Sequence, residues 1–301
     1  MPKPKSTRII LTAFLRTGYG AEDVTEQEFV QSETTFNEDG KVLTEKRFSG
    51  EDELETAVVN EYDPQGRILS SAQYDGENEL VQQDRYEYDD AGNILKKSTF
   101  YGEGSPEYAT CYLYENGLLA REDSYTEEDF DFTEKSYEYD PNGRMIRRTD
   151  FDEEGKPMYR HSHEYNDNNL IVKTLYEEVQ NKDSRTYTYE YDGNGQKVKE
   201  LTYNYHGKLI AKSYFTYNED GNLVEQEDED LDKYQRTTYD YEDGKCVKVS
   251  RFDKEGNLLA WTEYIYGERG EMAEVKNYVQ DEVRPDFHRS SAFLKYETEW
   301  Y

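Results

Sequence analysis

Apolar and polar positions along this chain follow no helical period. They recur instead as short alternations between glycine markers. Gly40, Gly66, Gly92, Gly117, Gly143, Asn169, Gly195, Gly221, Gly244 and Gly270 stand 26, 26, 25, 26, 26, 26, 26, 23 and 26 residues apart. Asn takes the marker place once, at 169, and after Gly it is the residue that best tolerates left-handed backbone, so each unit needs positive φ there. Three residues earlier there is usually Asp or Asn: Asn37, Asp63, Asp89, Asp140, Asn166, Asp192 and Asn218. Asp63-Pro64-Gln65-Gly66 and Asp140-Pro141-Asn142-Gly143 read as a type I turn closed by a G1 bulge, the three-residue hairpin connection.

Strands flank each turn. An aromatic precedes the marker by four residues at Phe36, Tyr62, Tyr88, Tyr139, Tyr165, Tyr191, Tyr217 and Tyr266, and a second often lies two residues further back, as at Tyr137 and Tyr189. A spacing of two puts both rings on one face of a strand. An apolar residue follows the marker by two (Val42, Ile68, Met145, Leu223) and is expected to pair across the ladder with the first aromatic. Another aromatic follows by eight (Phe48, Tyr74, Phe151, Tyr203, Phe252, Tyr278). This predicts a sheet with one aromatic face and one face of Glu, Lys, Arg, Ser and Thr. A second, looser turn of variable composition closes each unit.

The fold expected is all-β: tandem antiparallel β-hairpins of 26 residues over 34–278, between an N-terminal cap at 1–33 and a C-terminal cap at 279–301. Open twisted sheets seldom exceed about ten strands without curling. The ten units, at two strands each, therefore predict a long curled or superhelical sheet. A five-bladed propeller also fits the count, but it calls for alternation at twice the repeat, which the turns do not show.

Composition alters this picture in two ways. Sparse aliphatics with 34% charged residues would suit a disordered chain, but 30 Tyr and 12 Phe supply large apolar surfaces whose hydroxyls can stay wet at the rim of a thin layer. The 67 Asp and Glu against 36 Lys and Arg leave a formal charge of -31, which repels nucleic acid and anionic membrane and attracts a basic protein. No stretch has the roughly 18 apolar residues of a membrane span. The apolar run Ile9 to Leu15 is cut short by Arg16 and lacks a clean cleavage site, so a cytoplasmic location is expected. Cys111 and Cys246 lie in distant units, which agrees with a reducing compartment.

The pattern Tyr-x-Tyr-Asp-x-x-Gly-Arg/Asn-Leu/Ile, at Tyr86 to Ile94, Tyr137 to Met145 and, in part, Tyr189 to Gly195, resembles the YD repeats of RHS proteins over about residues 34 to 278. That resemblance implies a spiralling β-shell, here a partial one, since the chain is short and shows no autoprotease or toxin segment. It is also similar to short hairpin repeats of bacterial antitoxins, which implies a small cytoplasmic binding protein.

Candidate chemistry is thin. His161 and His163 share a strand face but have no third ligand nearby, and ordinary polar strand positions explain them. Acidic turns such as Asn218-Glu219-Asp220-Gly221 lack the regular oxygen spacing of a Ca²⁺ loop. No phosphate loop, nucleophile elbow or Cys/His pairing is present, so neither catalysis nor a cofactor is expected. The expectation is a non-catalytic protein-binding scaffold of immunity or antitoxin type holding a basic partner. Its candidate contact is the acid-rich segment with Glu227, Asp228, Glu229, Asp230 and Asp232, in the unit where the marker interval drops to 23. The alternative is a carbohydrate or cell-wall binder using exposed rings, against which stand only 2 Trp.

Overall fold

The computed structural model describes residues 3–16, 24–50, 52–102, 104, 106–126, 129–280 and 288–301, and all of its regular elements are strands. Two units divide the chain, one of residues 1–84 with 236–301 and one of residues 85–235. The first holds β1 (Pro4–Arg16), β2 (Val24–Phe36), β3 (Val42–Phe48), β4 (Leu54–Tyr62) and β5 (Ile68–Asp75); the boundary falls within β6 (Leu80–Tyr88). The second holds β7 (Ile94–Phe100), β8 (Tyr108–Glu115), β9 (Leu118–Thr126), β10 (Asp129–Tyr139), β11 (Met145–Phe151) and β12 (Pro157–Tyr165). It continues through β13 (Ile171–Glu178), β14 (Asp183–Tyr191), β15 (Lys197–Asn204), β16 (Leu209–Tyr217) and β17 (Leu223–Asp230). The second boundary falls within β18 (Tyr234–Glu242), and the first unit continues with β19 (Lys245–Phe252), β20 (Leu258–Tyr266), β21 (Met272–Gln280) and β22 (His288–Trp300).

Turn chemistry builds each hairpin as expected. In the turn after β4, Gly66 N–H donates to the Asp63 carbonyl at 2.8 Å and Asp63 N–H to the Arg67 carbonyl at 2.9 Å. The Asp63 carboxylate accepts from the N–H groups of Gln65 and Arg67 at 2.9 and 2.7 Å, which satisfies turn donors that the ladder leaves unpaired. Gly66 has φ +77° and Asn169 has φ +63°, so both markers occupy the left-handed region that the pattern demanded. Tyr62 pairs with Ile68, Tyr139 with Met145, Tyr217 with Leu223 and Tyr266 with Met272, each just past a register shift.

The second turn of several units is the same device. Asp152, Asn204 and Asp253 close on Gly155, Gly207 and Gly256 with the same pair of backbone bonds. The aromatics before them, Phe151, Tyr203 and Phe252, repeat the aromatic-Asx-x-x-Gly motif of the first turn. The expectation of a looser second turn is thus corrected.

One aromatic face was expected and two are found. Tyr74 pairs with Ala57, five positions before Tyr62 on the same strand, and an odd separation places them on opposite faces. Tyr125, Tyr203 and Tyr278 pair likewise with Ala109, Thr186 and Trp261, five before Tyr114, Tyr191 and Tyr266. The bulge beside each turn inserts one residue, Leu69 in the first case, and inverts the alternation beyond it.

On the face of Tyr62, the phenols tie consecutive hairpins together. Tyr62 OH donates to the Val42 carbonyl at 2.8 Å, Tyr139 to Leu119 at 2.9 Å, Tyr165 to Met145 at 2.7 Å, Tyr191 to Ile171 at 2.6 Å and Tyr217 to Lys197 at 2.9 Å. Each bond reaches back 20 residues, to the start of the neighbouring strand, which closes the preceding hairpin. Buried apolar residues are few and small, Ala57, Ala72, Ala109, Val30 and Val275 among the described residues, so cross-strand pairs and this phenol ladder take on stability that a thick core would supply elsewhere.

Among the described residues 22 strands join one sheet, and within the first unit the first strand of the chain pairs with the last. β1 pairs with β2 on one side and with β22 on the other, with Leu11 opposite Leu294 and Thr12 opposite Phe293. The segments read as caps therefore contain strands of the sheet itself. Tyr301 OH donates to the Phe36 carbonyl at 2.5 Å, carrying the phenol device across this seam. The expected open, curled or superhelical sheet is corrected at its ends: the first and last strands of the chain are partners of each other, not edges. Pairing the first and last strands satisfies backbone groups that an open sheet would leave as edges.

Candidate functional site

The segment singled out in the sequence proves to be strand more than loop. Glu227, Asp228, Glu229 and Asp230 lie in β17, opposite Tyr214, Ser213, Lys212 and Ala211 of β16, and only Leu231 to Lys233 form the turn. Their carboxylates are engaged locally. Ser213 Oγ donates to Asp228 at 2.6 Å, Lys212 Nζ meets Glu229 at 2.8 Å, and Tyr234 OH donates to Glu227 at 3.0 Å. Asp230 accepts the N–H groups of Asp232 and Lys233 at 2.9 and 2.8 Å, which hold its carboxyl below the usual range. Asp232 is exposed at the turn.

Elsewhere in the second unit, strand-borne acids face cations across the ladder. Glu138 meets Arg147 at 3.2 Å, Glu164 meets Lys173 at 2.6 Å and Glu190 meets Lys199 at 2.8 Å. The unit also buries two adjacent carboxylates that the sequence did not mark. Asp123 is 1% exposed, bound by Arg121 at 2.7 Å and by Thr133 Oγ1 at 2.9 Å. Glu122 takes Lys135 Nζ at 2.7 Å and the Tyr137 hydroxyl; burial, then the bond to Glu122, pushes that phenol's pKa up. Each buried charge is thus compensated, which it must be to persist away from water.

The turns differ between the two edges of this unit. On the edge formed by residues 89–92, 115–117, 140–143, 166–169, 192–195 and 218–221, the exposed charged side chains are Asp90, Glu115, Asp167, Glu219 and Asp220. The cations nearest that edge are already bound, Arg144 to Asp140 at 2.6 Å and Lys197 to Glu200 at 2.7 Å. On the opposite edge the turns mix signs, with Lys156, Lys182, Lys208 and Lys233 among the acids. A cleft of about 660 Å³ opens on the acidic edge, lined by Glu115, Asn116, Tyr137, Tyr139 and the turn Asp140 to Gly143. The one-sided acidity was legible in the turn sequences; the cleft was not, because it depends on how neighbouring hairpins pack.

A second cleft, of about 340 Å³, lies at the mixed edge and is lined by Tyr176, Glu178, Asp183, Ser184, Arg185 and Tyr187. Tyr159 stacks beside Tyr176 with ring centres 5.9 Å apart and planes at 18°, and His161 meets the same ring edge-on at 4.8 Å. His161 and His163 are pushed toward the neutral form by burial, and His163 Nδ1 lies 3.0 Å from Thr174 Oγ1. Among the described residues no three His, Cys, Asp or Glu side chains gather as a metal site. Cys111 and Cys246 are free thiols, their pKa values raised first by burial.

No family model matches this sequence, and no curated protein matches it either. Among solved structures, the TcdB2-TccC3-Cdc42 complex is similar over 83% of this chain, with 14% identity and a TM-score of 0.39. This chain spans only 15% of the length of that one. A porin-like protein from Bacteroides uniformis is similar over 99% of this chain and 98% of its own, with 10% identity and a TM-score of 0.37. A porin-like protein from Bacteroides vulgatus is similar over 70% of this chain and 94% of its own, with 12% identity and a TM-score of 0.23.

Proposed function

We propose that this chain is a non-catalytic binding protein of the cytoplasm that holds a basic protein partner along the acidic turn edge of its second unit, in the manner of an immunity or antitoxin protein. One observation carries the reading. The strand acids Glu138, Glu164 and Glu190 face cations across the ladder, whereas Asp90, Glu115, Asp167, Glu219 and Asp220 stand exposed on one edge, where Glu115 lines a cleft with Tyr137 and Tyr139. Carboxylates beside an aromatic wall suit Lys and Arg side chains, which gain from both ion pairing and the ring face. Glu227 to Asp230 contribute field more than contacts, since each already holds a local partner in the sheet or its turn.

The test is capture from native extract at low salt by the whole chain and by a variant carrying Asp90→Asn, Glu115→Gln, Asp167→Asn, Glu219→Gln and Asp220→Asn. The wild type should retain a basic protein that rising salt releases, and the edge variant should lose it while melting normally. Equal retention of the same protein by both would remove this edge from the binding surface.

A further inference from the structure

We propose that the cleft formed by Tyr176, Glu178, Asp183, Ser184, Arg185 and Tyr187 is a binding site for a neutral oligosaccharide, separate from the acidic edge. The cleft lies where β13 and β14 meet, at the opposite edge of the second unit. Tyr176 faces Arg185 directly across the ladder, and Tyr187 follows two residues along on the same strand face. Tyr159, on β12, extends the floor through its near-parallel contact with Tyr176. Three strands thus present rings in a diagonal row on one face.

The polar groups around this floor identify the ligand class. Arg185 is exposed and offers guanidinium donors, while Glu178 and Asp183 offer carboxylate acceptors on the same face. One Asp183 oxygen accepts the Ser184 N–H at 2.8 Å, leaving acceptor capacity for a ligand. A cationic ligand would meet Arg185, and an anionic one would meet both carboxylates and the net charge of -31. A ligand whose hydroxyls both donate and accept, and whose ring carries an apolar C–H face, matches donors, acceptors and phenol rings together. At about 340 Å³ the cleft is near the lower end of small-molecule sites, roughly 300 to 1,000 Å³, which fits a short stretch of sugar chain with further rings running over Tyr159.

The test is calorimetric titration of the whole chain with cellohexaose, chitohexaose and maltohexaose, and with a galacturonic acid hexamer as the anionic arm. At least one neutral hexamer should bind, the acidic hexamer should bind more weakly, and Tyr187→Ala should weaken the neutral ligand by tenfold or more. Tyr187→Phe keeps the ring and should retain binding within about threefold, and Arg185→Gln, which leaves the floor intact, should weaken it measurably. Thermal melts of each variant separate lost binding from lost fold. No binding of any neutral hexamer at millimolar concentration, preferential binding of the acidic one, or unchanged binding in a folded Tyr187→Ala variant would overturn the assignment.

Discussion

Replacing Tyr139 by Phe removes one oxygen from the phenol ladder and leaves the ring on Met145. The lost bond, from Tyr139 OH to the Leu119 carbonyl, is 2.9 Å long, and burial raises the phenol's pKa, so it is a protonated donor at neutral pH. A net intramolecular hydrogen bond contributes about 0.5 to 1.5 kcal/mol. A cost of about 1 kcal/mol is expected, because the carbonyl keeps a second lone pair and the half-buried site lets water approach. Tyr191→Phe, which loses the 2.6 Å bond to Ile171, should cost the same. The two phenols lie four strands apart, roughly 19 Å at about 4.8 Å per strand, so the double variant should lose about 2 kcal/mol additively. Tyr189 is the control: its ring contacts Lys197 at 5.5 Å, which Phe preserves, and Tyr189→Phe should stay within about 0.5 kcal/mol of wild type. Urea unfolding followed by circular dichroism supplies the measurement, through midpoint shifts at constant slope. Costs for Tyr139→Phe and Tyr191→Phe no larger than for Tyr189→Phe would refute the claim that the ladder bonds stabilise the sheet.

Two further outcomes are expected. Gly143→Val should cost about 1 to 2 kcal/mol or more, since φ is +79° while the nearest side-chain atom, on Leu118, stands 3.8 Å from a new Cβ; Asn169→Gly, at φ +63°, should be neutral or stabilising in the same unfolding assay. The Asp140 carboxyl is held below its ordinary 3.8 by the Arg144 N–H and the Arg144 guanidinium. A pKa lowered in the folded state contributes stability above the unfolded value that is lost as pH falls through the folded one, so stability should decline below about pH 4 and less steeply in Asp140→Asn. Identical acid limbs in the two proteins would sink that assignment.

The extent to which this molecule could be read in advance followed the range of the interactions. Asx, Pro and Gly at fixed offsets determine a turn within five residues, and the turn in turn sets which residues oppose one another. Tyr62 opposite Ile68 and positive φ at Asn169 were therefore legible without coordinates. The second turn was legible too, in Asp152 to Gly155 and Asn204 to Gly207, but its motif was masked by variable neighbours such as Glu153 and Tyr205. Tertiary structure decided the rest. Each bulge inverts the faces, which moved Tyr74 and Tyr278 away from the phenol ladder. A run of acids looked like a loop until pairing with Lys212 and Ser213 placed Glu227 to Asp230 on a strand. The pairing of first and last strands, with Leu11 opposite Leu294, was the least legible feature. No local composition distinguishes a strand that ends a sheet from one that pairs with the opposite end of the chain, because that partner is remote in sequence and the backbone groups that bind it are common to every residue.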